Sequence, residues 1–226
     1  MTVPRRLVSG LLLALLLVPA AARPAAAAGS STAPAPASRA SAVFAGGCFW
    51  CLETAFEDQP GVLAAVSGYA GGTKKNPKYE EVGMGLTGHA ESVEVTYDPA
   101  RTSYTALLDL FWHNVDPTQA DGQFCDHGKQ YRSAIFWRTP AEHQAALASK
   151  LAIEKSGVLR GRPIVTQVVP AGPFWRAEEY HQDFWKKDPD RYFSYREGCG
   201  RDARLHEIWG DKAGRSKAYP EHEPAH

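Results

Sequence analysis

The chain has 226 residues, 44% of them hydrophobic, with 25 basic and 25 acidic side chains and a formal net charge of zero. That composition fits one globular domain with extensions. With no basic patch or arginine-rich run, it speaks against a nucleic-acid partner.

Residues 1–28 have the layout of a secretory signal peptide: Arg5 and Arg6, an apolar run from Leu7 to Val18, then small residues with candidate cleavage sites after Ala22 or Ala28. The apolar run is short for a membrane span, so no stable anchor is expected once it is removed. The paired arginines also hint at a twin-arginine export route. The expected location is therefore extracytoplasmic, periplasmic or otherwise exported. Removing residues 1–28 takes away three arginines and no acids, leaving 22 basic against 25 acidic side chains, near −3. Residues 29–40, GSSTAPAPASRA, read as a flexible leader. The catalytic domain is expected over 41–210, and 211–226 as a loose polar tail.

Within that domain, SAVFAG (41–46) reads as a buried strand ending in glycines. Cys48 to Asp58 follows as a helix that stops at QPG, and Val62 to Tyr69 as a second strand. A polar, glycine-rich excursion runs from Thr73 to Gly88. AESVEVTY (90–97) alternates strictly, the mark of a strand with one buried face. SYTALLDLFWHN (103–114) is an amphipathic helix and SAIFW (133–137) a strand. A helix opens at Thr139 and Pro140 with Glu142 placed for a capping box. A strand at 164–169 and a short helix near 178–186 complete the pattern. The order β-α-β-β-α-β predicts an α+β fold: a two-layer sandwich around a ferredoxin-like plait, with extra helices and a coil-rich C-terminal segment.

The alternation over 90–97 puts Glu91 on the same face as Val93, Val95 and Tyr97, and Glu94 on the other. If the three apolar residues face the core, Glu91 is a carboxyl at the edge of an apolar layer. Burial there raises its pKa and keeps the proton that a general acid needs. The alternative is a structural glutamate bonded to backbone.

The cysteines are Cys48, Cys51, Cys125 and Cys199. In GGCFWC (46–51), Cys48 follows a strand and two glycines and opens a helix, where backbone N–H groups and the helix dipole favour thiolate. Phe49 and Trp50 can wall an apolar pocket beside it, or be simple core. Spacing alone also fits a disulfide-exchange dithiol of Cys48 and Cys51, or a zinc site combining them with Cys125 and His127.

Further motifs narrow the choice. GGCFWCLE (46–53), PGVLAAVSGYAGG (60–72), YEEV (79–82), GLTGHAESVEVTYDP (85–99), CDHGKQYRSAIF (125–136) and EEYHQDF (178–184) occur in the order seen in peptide methionine sulfoxide reductase A, which the chain resembles from about Ala42 to about Gly210. The resemblance implies reduction of the S epimer of methionine sulfoxide, free or in proteins, as repair of oxidised exported proteins. It makes Cys48 the nucleophile, Phe49 and Trp50 the methyl pocket, and Glu91 the acid. Tyr79 and Tyr131 become the phenols on the sulfoxide oxygen, Asp126 an acidic residue holding the site, and His181 a histidine at the pocket rim. A Cys48 sulfenic acid would be resolved by an intramolecular disulfide, with Cys199 the expected resolver and Cys51 or Cys125 the alternatives. A thioredoxin-like dithiol partner would restore the thiols. No metal or organic cofactor is needed, and a monomer is expected.

Overall fold

A computed structural model describes residues 1–2, 38–57 and 59–214, and the fold lies in the unit Pro36–His226. The expected signal peptide beyond residue 2, the leader up to residue 37 and the tail from 215 lie outside the described residues. Among the described residues, no helix is long and apolar enough to cross a membrane.

The elements run β1 (Ala40–Gly46), α1 (Phe49–Phe56), β2 (Val62–Ala70), α2 (Tyr79–Gly83), β3 (Ala90–Tyr97), α3 (Tyr104–Trp112), β4 (Gly122–Gln123), β5 (Asp126–His127), β6 (Ser133–Trp137) and α4 (Pro140–Ser156). They continue with β7 (Gln167–Pro170), β8 (Trp175–Arg176), α5 (Phe184–Lys187), α6 (Pro189–Gly198) and α7 (Arg201–Trp209). The main sheet has the order β7-β6-β1-β3-β2-β8. Its central four strands are antiparallel neighbours with the split βαβ arrangement of a ferredoxin-like plait. β7 joins one edge parallel to β6, and β8 joins the other antiparallel to β2.

Register follows from which side chains must be dry. Phe44 lies opposite Val93 and Ile135, and all three are fully buried on the face that α1 and α3 cover. Val43, Ala45, Ala134 and Phe136 alternate onto the other face, where a smaller cluster forms. Because residue spacing on a strand is two, Glu91 shares the helix-covered face with Val93 and Val95, whereas Glu94 faces away and pairs with Arg138 at 2.6 Å. The helices are capped locally. Ser103 Oγ accepts from Ala106 N–H at 3.1 Å, and Thr139 Oγ1 from Glu142 N–H at 3.2 Å. Glu142 completes that turn through the Arg138 N–H, one residue before the cap.

Several boundaries differ from the sequence pattern, each for a local reason. β1 starts at Ala40, the residue expected to end the leader, because it pairs with Tyr97. The strand expected at 164–169 forms only from Gln167, since Val165 N–H bonds instead to Pro117 C=O at 2.8 Å. The expected helix near 178–186 breaks into a 3-10 turn, Glu179–His181, and α5, with Asp183 between them at φ +50°. The segment expected to be coil-rich is largely helical. Asp188 caps α6 by accepting from Arg191 N–H, Pro189 opens it, and the buried Arg196 pairs with Asp202 at the start of α7.

Phe44 sits at the centre of this packing, fully buried and stacked on Phe56 and Phe111 at 5.2 and 5.3 Å. Phe44→Ala is expected to lower unfolding stability by about 3–5 kcal/mol through the cavity it leaves. Chemical denaturation checks this, and a loss well under 1 kcal/mol would mean the core lies elsewhere.

Candidate active site

One cleft of about 270 Å³, open mouth included, is lined by Cys48, Phe49, Trp50, Tyr79, Glu91, Asp126, Tyr131 and Tyr195. Six parts of the fold supply these residues. Cys48 is the N-cap of α1, with Phe49 and Trp50 its first two helical residues. Glu91 comes from β3, Tyr79 from the start of α2, Asp126 from β5, Tyr131 from the 3-10 turn before β6, and Tyr195 from α6. The strand-to-helix turn needs Gly47. Its φ is +81°, and a Cβ there would lie 2.6 Å from Gln123 Cβ, so only glycine fits without displacing β4.

Glu91 is 2% exposed, and its Oε2 accepts the Phe49 N–H at 3.0 Å. Burial is the main cause that pushes its carboxyl up to about 8, with the Asp126 charge adding and the Phe49 N–H opposing. Glu91 is therefore neutral at neutral pH, with Oε1 free to hold a proton toward the cleft. Burial also raises the Tyr79 and Tyr131 phenols above their ordinary range, so both remain O–H donors. Asp126 is half-buried and accepts a short hydrogen bond from Tyr195 O–H. Burial shifts its carboxyl upward, against the pull of Tyr195, Arg201 and the Cys48 N–H.

The apolar wall is layered. Trp50 stacks on Phe184 at 3.7 Å and 5°, and Tyr195 meets its edge at 5.9 Å. Phe49 lies 6.4 Å from both Trp50 and Tyr79. His181 does not stand at the rim as expected. It is 1% exposed behind the wall, 4.9 Å from Phe49 and 4.3 Å from Tyr79, because the 3-10 turn carries it inward. Its Nδ1 accepts the Trp50 Nε1–H at 3.0 Å, which places its proton on Nε2. Burial lowers its pKa to about 4, so it stays neutral and fixes the indole.

The two inner cysteines share one environment. Cys48 is 5% and Cys51 1% exposed, and both are free thiols. Burial and the neighbouring sulfur push the Cys48 thiol up. Cys51 is lowered to about 6, chiefly by accepting a hydrogen bond from Cys48 and further by the Arg201 and Arg196 guanidinium charges. The helix N-terminus alone pointed to thiolate at Cys48; in the folded site the charge of the pair rests on Cys51. Cys125 and Cys199 form a disulfide with Cα atoms 4.9 Å apart. That bond withdraws Cys125 from the zinc set that spacing had allowed with Cys48, Cys51 and His127.

Sequence reasoning missed Tyr195, which stands four residues before Cys199 and thus on the same helix face, the one signal that could have found it. It also missed Glu178, whose carboxylate accepts from Tyr69 O–H at 2.7 Å and from Tyr79 N–H at 3.1 Å and so fixes α2 against β2.

If Glu91 is the neutral acid of this cleft, pH-difference infrared spectra should show a protonated carboxyl band lost with a midpoint near pH 8 and missing in Glu91→Gln. A midpoint in the ordinary carboxylate range, about 4, would contradict it.

The peptide methionine sulfoxide reductase family model matches residues 40–213. The chain is 49% identical over 174 residues to peptide methionine sulfoxide reductase MsrA of Bacillus licheniformis, covering 77% of this chain and 96% of that one. It is 50% identical over 182 residues to MsrA 2 of Caulobacter vibrioides, covering 80% and 91%. The solved structure of methionine sulfoxide reductase A of Corynebacterium diphtheriae is similar at TM-score 0.64 and 34% identity, over 69% of this chain and 77% of that one. Agreement of this extent, along nearly the whole described fold and most of each relative, means that the chain belongs to the peptide methionine sulfoxide reductase family.

Proposed function

We propose that the cleft reduces methionine sulfoxide by thiol chemistry. The observation that carries the reading is the convergence of a nucleophilic sulfur, Cys48, and a neutral buried acid, Glu91, with two phenols on one small cavity. A sulfoxide sulfur is a poor electrophile until its oxygen is protonated or strongly hydrogen-bonded. Glu91 supplies the proton, and the Tyr79 and Tyr131 O–H groups bind the oxygen. Phe49 and Trp50 hold the methyl group in an apolar corner from which water is excluded. Cys48 then attacks the sulfoxide sulfur. The sulfur–oxygen bond passes to Cys48, methionine leaves as the thioether, and Cys48 remains as sulfenic acid, which balances thiol plus sulfoxide against sulfenic acid plus thioether. A second thiol condenses with it to a disulfide and releases water. Asp126, bonded to Tyr195 and favoured in its charged form by the Cys48 N–H, stands beside the turn that carries the nucleophile.

Stereochemistry follows from three fixed contacts. With the methyl at Phe49 and Trp50 and the sulfur at Cys48, one epimer directs its oxygen to Glu91 and the other directs it away. The family resemblance assigns the productive one to the S epimer. Residues 1–28 support action outside the cytoplasm, as repair of oxidised exported proteins, without a membrane anchor after cleavage. Each turnover oxidises a dithiol, so an external reductant is required, and a thioredoxin-like protein of the same compartment supplies the chemistry.

The test is single-turnover reduction of S-methionine sulfoxide by the pre-reduced chain. Methionine should form stoichiometrically, Cys48→Ser should form none, and Glu91→Gln should react about 10²–10⁴-fold more slowly. Wild-type rates should fall as pH rises through about 8, because Glu91 loses its proton there, and Glu91→Gln should lack that limb. The R epimer should react at least about 10²-fold more slowly. A folded wild type that makes no methionine, or that ignores the Glu91 change, would overturn the reading.

A further inference from the structure

We infer that the four cysteines form two dithiol pairs in series: Cys51 resolves the Cys48 sulfenic acid, and the Cys125–Cys199 pair then reduces the Cys48–Cys51 disulfide. The inference rests on the reductase reading above.

The inner pair is built into one helical turn. Cys48 is the N-cap of α1 and Cys51 its third residue, and the two thiols share a hydrogen bond within that turn. Cys51 is 1% exposed, enclosed with Tyr192 and Phe184, and does not line the cleft. It cannot meet substrate or an external protein, and its partner is the Cys48 thiol. The Cys48 hydrogen bond favours its thiolate, and Arg196 and Arg201, 1% and 2% exposed, add positive charge beside it. A buried thiolate beside a nucleophile needs a task, and attack on the adjacent sulfenic sulfur is one that requires no movement of an outer segment.

The outer pair is built differently. The Cys199 sulfur, the expected resolver, is already bonded to Cys125. Cys125 is exposed and Cys199 only partly so. Both stand next to the cleft. Cys125 precedes Asp126, and Cys199 lies one turn beyond Tyr195. Gly200, at φ +66°, follows Cys199 and gives the chain a pivot there.

The steps balance. Cys51 thiolate attacks the sulfenic sulfur of Cys48, a sulfur–sulfur bond forms and water leaves. Cys199, in the reduced outer pair, attacks the Cys48 sulfur through the cleft and expels Cys51, whose low pKa makes it the better leaving group. Cys125 then attacks Cys199, releasing Cys48 as a thiol and closing the outer disulfide. An external dithiol reduces that disulfide by attack at exposed Cys125.

The experiment takes the full chain with all four thiols reduced, removes reductant, adds excess S-methionine sulfoxide, and combines methionine counting with non-reducing peptide mass mapping. Wild type should form about two methionines per chain, one per dithiol pair, and end with Cys48–Cys51 and Cys125–Cys199 bridges. The double variant Cys125→Ser, Cys199→Ser should form about one and stop at Cys48–Cys51. In Cys51→Ser, the Cys48 sulfenic acid should be captured by a dimedone-type trap and should decay at least about tenfold more slowly without it. A Cys48–Cys199 or Cys48–Cys125 bridge as the first product of the wild type, or wild-type decay in Cys51→Ser, would overturn the series while leaving the reductase reading intact. Absence of methionine from the folded wild type would overturn both.

Discussion

The hydrogen bond from Phe49 N–H to Glu91 Oε2 is the contact on which the site depends. It joins the centre of the sheet to the first turn of the helix that carries the nucleophile, so acid and sulfur are positioned by one interaction. It also satisfies an N–H that a helix start leaves without an internal partner. A carboxylate buried to this degree would cost several kcal/mol unless paired, and among the described residues no ion pair reaches Glu91. The chain meets that constraint by keeping Glu91 neutral, with one oxygen used by the backbone and the other free for a proton. Structural and catalytic readings of this residue therefore coincide: the backbone bond fixes the geometry and burial sets the chemistry.

Much of the surrounding architecture keeps that corner dry and aimed. Phe184 stacks on Trp50, His181 holds its indole N–H, and Glu178 holds Tyr79 against Tyr69. Glu53, 1% exposed, accepts from Ser67 O–H at 2.8 Å and Asp183 N–H at 3.3 Å, tying α1 to β2 and to the turn after His181. Arg201 donates to Gly46 C=O at 3.1 Å and Asn114 C=O at 2.8 Å, which fixes the end of β1 beneath the glycine turn. The C-terminal helices thus complete the site from behind, placing Tyr195 in the wall and two guanidinium groups beside Cys51.

The parts of the fold that could be read from sequence were those set by period. The strict alternation of 90–97 placed Glu91 among buried valines, and the strand-glycine-helix pattern placed Cys48 at a helix start. The order of strands and helices followed from the same periodicities. What could not be read depended on contacts distant in sequence. Nothing local marks the bond between Cys125 and Cys199, 74 residues apart. The inward turn of His181 depends on a 3-10 segment, after which Asp183 N–H bonds to Glu53 of α1. The C-terminal segment was expected to be coil-rich, whereas Asp188 capping and the Arg196–Asp202 pair make helix. The charge on the inner dithiol was likewise hidden, because beside the Cys48 hydrogen bond it depends on arginines about 150 residues away in the chain.

The most direct test of the account is a crystal structure of Cys48→Ser with S-methionine sulfoxide bound. The account predicts the sulfoxide oxygen within about 3 Å of Glu91 and of the Tyr79 and Tyr131 hydroxyls, the methyl group against Phe49 and Trp50, and the sulfur facing residue 48. A sulfoxide oxygen turned to solvent, with the methyl group outside the aromatic wall, would contradict it.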